Sequence, residues 1–264
     1  MRVDWEVARR GFARYAAYPG ATLAGIFTNC VFGFIKGYIL LAVLAFQPVV
    51  GGYDRADVLT FTWLTQALMM PVFLVAVWPD VAVRIRSGDI ATDLSRPIDP
   101  MRYWLGFDLG RAAYQMIFRG VPPFLVGALV FDLRLPSTPL VWLAFSLSAV
   151  LAVVASFGFR FAYNVATFWL GDVRGIGLLA LVVANVFSGF LVPLSFFPDW
   201  LEPVARVLPF AAMIQTPVDI FLGAVQGTAI LGALAGQAAW ALVLLALGRG
   251  LLALGTRRVV IQGG

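Results

Sequence analysis

The sequence predicts an all-α integral membrane protein with six transmembrane helices, and three observations support this fold class. Of the 264 residues, 61% are hydrophobic and 12% are charged, whereas soluble domains average roughly 25% charged residues. Long apolar runs follow one another along almost the whole chain. The longest polar stretch, residues 80–106, is too short for a soluble domain. A single membrane domain therefore fills residues 1–264.

Six segments have the length and composition of membrane spans. An α-helix rises about 1.5 Å per residue, so about 20 apolar residues cross the hydrocarbon core of a bilayer. The N-terminal run does not fit a cleaved signal sequence, because its apolar part is too long and four arginines are spread over the polar segment before it. The predicted spans are residues 21–46, 58–79, 107–131, 140–169, 175–196 and 228–254.

Positive charge concentrates on one side of these spans. With the N-terminus inside, only Arg55, Arg134 and Arg206 fall in outer segments. Loops rich in arginine and lysine remain in the cytoplasm. We therefore expect a multi-pass protein of the cell membrane with both termini cytoplasmic. The fourteen arginines assigned to inner segments are Arg2, Arg9, Arg10, Arg14, Arg84, Arg86, Arg96, Arg102, Arg111, Arg119, Arg174, Arg249, Arg257 and Arg258.

Several function classes lack the residues that they need. The chain has no histidine and one cysteine, Cys30, which excludes histidine-based zinc sites, Ser-His-Asp triads, cysteine metal clusters and intrachain disulfides. No GxxxxGK[ST] phosphate loop occurs. We find no acidic residue in the middle of a predicted span, as a proton relay would require. We expect no catalytic, metal or cofactor-binding residue, and any energy from ATP must come through a partner.

The net charge is +5, and the charged residues lie between apolar spans. This position favours membrane lipid over nucleic acid as the partner of the basic residues. Residues 1–19 combine four arginines with scattered apolar side chains before Pro19, which predicts an interfacial helix on the inner leaflet. This helix would act either as a positively charged anchor or as a structural collar. Its apolar residues are Val3, Trp5, Val7, Phe12 and Tyr15.

The inner segment 80–103 predicts short helices with an apolar edge. Val81 and Ile85 are four residues apart, as are Ile90 and Leu94, so each pair lies on one helix face. Such an edge either packs on the chain's own spans or docks a partner, and the spacing alone does not decide between the two.

A second segment, residues 193–210, is rich in proline and too apolar for a free outer loop. Its apolar residues Leu201, Val204, Ala205 and Leu208 follow helical spacing, and we expect Glu202 and Arg206 to face away from them. This pattern predicts a short helix at the outer surface. A re-entrant hairpin is the alternative if the bundle buries its backbone.

Two cations that are assigned to neither an inner nor an outer segment, and a glycine pair, lie within predicted spans. Arg160 is about 30 Å along its helix from Leu140 and should reach inner-leaflet phosphates. Lys36 should either reach outward or face a cavity in the bundle. Both are candidate pathway or interface charges. Gly33 and Gly37 form a GxxxG pair that predicts close helix packing, including packing between copies of the chain.

Over its whole length the chain resembles the permease subunits of bacterial type-2 ABC exporters. The best local matches are the inner Gly88-Asp-Ile-Ala-Thr-Asp-Leu94-Ser-Arg-Pro97, the outer Phe197-Pro198-Asp-Trp200 through Leu208-Pro209, and residues 217–223. In that family an inner coupling helix lies between spans two and three, and a proline-rich outer segment precedes span six.

This resemblance implies export from a bacterial cell across its inner membrane, and the apolar spans with few charges favour a hydrophobic or amphipathic cargo. ATP and magnesium would be bound by a separate cytoplasmic ABC ATPase subunit, and a second permease copy or a paralogue would complete the path. It also favours partner docking for the inner segment. The alternative is a channel or secondary transporter that works without nucleotide, and a membrane-embedded enzyme fits least. The residues expected to couple to the ATPase are Ile85, Gly88, Ile90, Asp93, Leu94 and Pro97.

Overall fold

The computed structural model describes residues 2–72 and 79–258, and the regular elements in these ranges are helices. The predicted all-α membrane fold is confirmed. Residues 73–78, at the end of the predicted span 58–79, lie outside the described residues. The α-helices are α1 (Arg2–Ala16), α2 (Pro19–Leu44), α3 (Arg55–Val72), α4 (Pro79–Ser87), α5 (Ile90–Leu94), α6 (Pro100–Gln115), α7 (Val121–Val130), α8 (Pro139–Val165), α9 (Thr167–Leu170), α10 (Arg174–Phe187), α11 (Glu202–Val207), α12 (Gln215–Leu222) and α13 (Ala229–Thr256).

Within the described ranges, four continuous helical stretches are long and apolar enough to cross a membrane. They correspond to the predicted spans one, three, four and six. A π-helical turn, Met116–Gly120, joins α6 to α7 within the second stretch. The chain is therefore a multi-pass membrane protein. The four stretches are Pro19–Leu44, Pro100–Val130, Pro139–Leu170 and Ala229–Thr256.

The predicted span 175–196 is shorter in the structure. Its helix, α10, has 14 residues and ends at Phe187, which gives a length of about 21 Å against the roughly 30 Å of a bilayer core. The chain then turns at Ser188 and Gly189, where a φ of +77° suits glycine. The apolar run continues past the turn, so its length did not indicate the break.

Helix α8 lies at the centre of the bundle and packs along α13. Gly158 lies where a Cβ would come 2.8 Å from the Cβ of Leu244, and at Gly248 a Cβ would come 3.0 Å from the ring of Phe161. Ten residues before Gly158 on α8, the buried Ser148 hydroxyl donates to the side chain of Gln237 on α13 at 2.7 Å. Small residues thus let the two backbones approach closely.

Gly33 and Gly37 pack within the chain. A Cβ on Gly33 would come 2.8 Å from the indole of Trp63, and Gly37 faces Leu59, both on α3. Gly127 on α7 faces the same indole from the other side. The prediction that this glycine pair packs against another copy is therefore wrong, because α3 already covers both glycines.

The outer segment, residues 193–210, contains the 3-10 helix Leu194–Phe196 and α11, and it is followed by a second 3-10 helix, Ala211–Met213, and by α12. A polar cluster anchors it: the Arg206 guanidinium donates to Asp219 at 2.9 Å, and the Gln215 amide donates to Asp219 at 2.6 Å and to the Tyr53 hydroxyl at 3.0 Å. Burial raises the pKa values of Asp219 and Tyr53. Contrary to the prediction, Arg206 points into this cluster while also pairing with Glu202.

The N-terminal helix α1 lies across the beginning of α6. A Cβ on Gly11 would come 2.1 Å from the Phe107 carbonyl oxygen, and one on Gly110 would come 1.8 Å from the Ala8 carbonyl oxygen. The two backbones cross at van der Waals contact only because both positions lack a side chain. This packing favours the structural collar over a simple charged anchor.

Candidate functional site

Two places in the molecule hold most of the candidate functional residues, and the first is the inner segment. Helices α4 and α5 are joined at Gly88, whose φ of +81° allows the sharp turn between them. Ile85 and Ile90 are 9% and 2% exposed and pack into a core with Trp104 and Phe161. Contact with a partner through these two isoleucines is therefore contradicted: their edge faces the chain's own spans.

An ion pair holds α4 against α5. The Arg84 guanidinium donates to one carboxylate oxygen of Asp93 at 2.7 Å and bonds the other oxygen through its Nε. The hydrogen bonds that Arg84 donates to Asp93 raise the pKa of Arg84. Asp93 is thus a bracing residue between the two short helices, and the Arg96 side chain also lies 3.5 Å from it.

Further ion pairs connect this segment to the rest of the inner surface. Arg14 of α1 bonds Asp80 at 2.8 Å, and Arg102 of α6 bonds Asp4 of α1 at 2.7 Å. The hydrogen bond from Arg102 lowers the pKa of Asp4 to about 2. Between α1 and the inner segment lies a pocket of about 390 Å³ that Trp104 helps to line. Helices α1, α4 and α6 therefore form one connected platform.

The remaining predicted coupling residues are exposed. Leu94 is 39% exposed, and Gly88 and Pro97 also face outward. They belong to the set of exposed residues in this segment, which we call the inner face. Because it carries apolar, neutral polar and charged groups on a platform fixed to the core, it suits contact with another protein. The inner face comprises Val83, Arg86, Ser87, Gly88, Asp89, Thr92, Leu94, Ser95, Arg96 and Pro97.

A buried charge cluster lies behind this platform. Asp108 of α6 accepts from Arg111 at 2.7 Å and from Arg160 of α8 at 2.7 Å, and all three side chains are buried. The prediction that Arg160 reaches lipid phosphates is wrong, because its guanidinium is enclosed and paired with Asp108. A carboxylate between two guanidiniums is already neutralised and does not suit a proton relay.

The same cluster caps the last described turn of α3. Arg111 donates to the carbonyl oxygens of Met70 and Pro71, both at 2.7 Å. The Ser156 hydroxyl donates to the Val72 carbonyl at 2.6 Å. A cation suits the partial negative charge at the C-terminal end of a helix. The cluster thus joins α3, α6 and α8.

The second place is a cleft beside α2, within the predicted membrane zone. Its volume is about 730 Å³, and Lys36 and Arg119 supply two basic side chains, with no acidic residue among the described residues of the lining. Of the two alternatives for Lys36, the structure shows the cavity. The lining comprises Thr28, Asn29, Phe32, Ile35, Lys36, Ile39, Leu40, Gln66, Met69, Met70, Arg119, Phe190, Leu191 and Val192.

The ammonium of Lys36 is held by neutral groups. It donates to the Thr65 hydroxyl at 2.8 Å and to the carbonyl oxygen of Phe190. It also lies 4.5 Å from the centre of the Phe61 ring and 5.1 Å from that of Phe190. Cation–π contact and two hydrogen bonds thus stabilise the protonated ammonium.

Other polar groups in the cleft have no partner among the described residues. Within that part of the chain, both amide atoms of Asn29, which is 1% exposed, lack a hydrogen bond, as do the Gln66 carbonyl oxygen and the Arg119 Nε. Buried polar groups are usually satisfied, so this concentration in one cleft is unusual. Gly25 makes room for Arg119, since a Cβ there would come 2.1 Å from the guanidinium.

The sequence interpretation missed these groups. It counted Arg111 and Arg119 with the inner segments although its own predicted span 107–131 contains both, and the structure places them in the helical stretch Pro100–Val130. The arginine bias between the two sides remains without them. Asn29 and Gln66 were visible as polar residues inside apolar runs, and this signal could have indicated a polar cleft.

Comparison with known families gives one finding. The model of a family described as ABC-2 family transporter protein matches residues 32–263, which is most of the chain. The match begins within α2 and includes the inner segment, the buried charge cluster and the outer segment. Neither a curated protein nor a solved structure matches.

Proposed function

Since the chain belongs to the ABC-2 family of transporter proteins and is a membrane permease component of an ABC transporter, we propose that it works as the permease of an ATP-driven exporter. A separate cytoplasmic ABC ATPase subunit would bind ATP and magnesium and would contact the inner face. A second copy of the chain, or a paralogue, would complete the translocation path. In this proposal ATP hydrolysis would belong to the partner, which fits a family of membrane subunits.

The observation that carries this proposal is the seating of the inner segment. The inner face is exposed, while Ile85 and Ile90 behind it pack against Trp104 of α6 and Phe161 of α8. Because protein cores are closely packed, a displacement of the inner face would be transmitted to these helices. This arrangement suits a segment that receives motion from a partner.

The proposed mechanism follows from that packing. Closure of the ATPase subunits would push α4 and α5, and α6 would tilt with them through the Trp104 contact. The tilt would convert a cleft open to the cytoplasm into one open to the outside. This proposal includes cytoplasmic termini, six crossings in a bacterial inner membrane, and a cargo that is hydrophobic or amphipathic, as the apolar lining of the cleft beside α2 favours.

The test is purification of the tagged chain from its native membranes in a mild detergent, with identification of co-purified proteins and an ATPase assay. Val83 and Leu94 are exposed on the inner face, so Val83→Asp with Leu94→Asp should disturb docking without disturbing the core. Ile90→Asp would place a charge in the core and is not informative. Val207→Asp, at an exposed apolar position of the outer α11, is the matched control.

We expect an ATP-hydrolysing subunit to co-purify with the parent and with Val207→Asp, and its yield to fall about tenfold in the double variant, as for removal of an interface hot spot. Equal retention in the double variant would contradict docking at the inner face. A stable homo-oligomer without nucleotide hydrolysis would instead favour a channel or secondary transporter.

A further inference from the structure

We propose that the cleft beside α2 is a binding site for an anionic amphiphile, whose charged head contacts Asn29 and Arg119 and whose chain lies along the apolar lining. The site is defined by the buried, unpartnered amide of Asn29 together with the cationic character of the lining.

The charge of the cleft selects the sign of the ligand. Lys36 and Arg119 both line it, and none of its lining residues is acidic. Within a bilayer, positive charges that lack a counter-ion are costly. An anionic head would supply that counter-ion, whereas a cationic head would add repulsion at low dielectric constant.

The hydrogen-bonding groups select the kind of head. The Asn29 amide nitrogen and the Arg119 Nε are donors without acceptors, and they suit phosphate or carboxylate oxygens. The carbonyl oxygens of Asn29 and Gln66 are acceptors without donors. A head that carries a hydroxyl group beside its anion would satisfy both kinds, as a glycerol phosphodiester does.

The rest of the lining suits a hydrocarbon chain. Phe32, Ile35 and Ile39 lie on one side of α2 and are about half exposed. Since α2 rises about 1.5 Å per residue, the three side chains from Phe32 to Ile39 extend over about 10 Å of the helix, with Lys36 between them. An acyl chain could lie here with its head toward the Asn29 end.

The ligand could be a resident membrane lipid or the exported cargo, since both would present this chemistry. The identification of the ligand as cargo rests on the proposed function. The binding itself does not, because it is measured without nucleotide or partner. Failure of ATPase association and failure of amphiphile binding are therefore separate results.

The experiment is native mass spectrometry of the purified chain in a neutral detergent, with palmitoyl-oleoyl phosphatidylglycerol and phosphatidylcholine of the same chains as probes. We expect phosphatidylglycerol to bind at least tenfold more tightly than phosphatidylcholine. Asn29→Leu and Arg119→Met should each weaken phosphatidylglycerol about tenfold, as for loss of one charge-assisted hydrogen bond. Arg119→Lys should keep most of the binding, which a merely structural role for the arginine would not predict.

Arg55→Met is the matched control, because it removes one arginine at an exposed position on another surface. Size-exclusion profiles identify variants that do not fold. If Arg119→Met is one of them, Arg119→Lys replaces it as the test, and loss of phosphatidylglycerol binding in a folded Arg119→Lys protein would contradict the proposal. Mass analysis of amphiphiles that co-purify from native membranes distinguishes the sources: a bulk phospholipid identifies a resident lipid, and another anionic amphiphile identifies the cargo.

Equal binding of the two lipids, or equal loss in Arg55→Met, would overturn the proposal. Occupation of the cleft by a second copy of the chain would also overturn the proposal. In that case Ile35→Cys, made in a Cys30→Ser background, would form a disulfide-linked dimer in high yield, and this dimer would retain no amphiphile.

Discussion

The carboxylate of Asp108 and the guanidinium of Arg160 meet at 2.7 Å inside the helix bundle and join α6 to α8. Asp108 bonds Arg111 at the same distance. All three side chains are buried, so the carboxylate is shared between two enclosed cations. Removal of one member of a buried ion pair is costly, because the remaining charge cannot return to water.

We therefore expect Asp108→Asn to destabilise the protein by about 3–5 kcal/mol. Tryptophan fluorescence during thermal unfolding in detergent measures the change as a lower melting temperature. Asp172→Asn removes an exposed carboxylate that pairs with Arg174, and it should leave the melting temperature unchanged. Addition of Arg160→Met to Asp108→Asn should restore part of the loss. Equal melting temperatures for Asp108→Asn and the parent would show that the cluster does not hold the helices together.

The crossing of α1 and α6 gives a second prediction. A Cβ at Gly110 would come 1.8 Å from the Ala8 carbonyl oxygen, so Gly110→Ala must displace α1. We expect a loss of about 1–3 kcal/mol, as for other overpacked contacts, and faster hydrogen exchange in residues 2–16. Gly236→Ala is the control, because a Cβ there meets nothing within 4 Å on α13. Unchanged exchange in Gly110→Ala would mean that α1 is not seated on α6.

The bracing of the inner segment gives a third prediction. Arg84→Asp would place two carboxylates together at the junction of α4 and α5, where Asp93 now accepts from Arg84. We expect the ATPase to remain bound to this variant. The increase in ATPase activity that cargo produces should be at least tenfold smaller than in the parent. The exchanged pair, Arg84→Asp with Asp93→Arg, should recover much of the stimulation. A double variant no better than the single one would show that the pair does not act through its mutual contact.

Apolar length was sufficient to predict four spans, because each of them lies in a continuous helical stretch that is long enough to cross a membrane. It was not sufficient for α10, where Ser188 and Gly189 turn the chain inside an apolar run. Periodicity placed Ile85 and Ile90 on helix faces, but a face that docks a partner and a face that packs on the core have the same pattern. Only the position of α6 and α8 decides between them.

The polar groups of the candidate sites were the hardest to predict. Asp108 and Arg160 are 52 residues apart in sequence, and nothing in either local pattern indicates the other. The cleft beside α2 likewise depends on Arg119 reaching across to Gly25. Pairing between distant helices is a property of packing. A single sequence shows the polar residues in the spans but not their partners.

The outer cluster gives a prediction for the dependence of stability on pH. Burial raises the pKa of Asp219 above the value of about 3.9 for an unfolded chain. The folded protein therefore holds this proton more tightly than the unfolded protein. The stabilisation that results from this tighter binding is complete below the pKa of Asp219 in the unfolded chain. It is lost as the pH rises through the pKa of Asp219 in the folded protein.

The groups that face Asp219 do not titrate in this range, since Arg206 remains charged and burial raises the pKa of Tyr53 further above neutrality. Asp219→Asn cannot lose a proton. Its melting temperature relative to the parent should therefore rise as the pH increases from 4 to 7, whatever the sign of the difference at pH 4. Because every other carboxylate is present in both proteins, the difference isolates Asp219. A difference that stays constant over this range, measured in one detergent and at one salt concentration, would show that ionised Asp219 is not disfavoured in the folded protein and that Arg206 compensates fully for its burial.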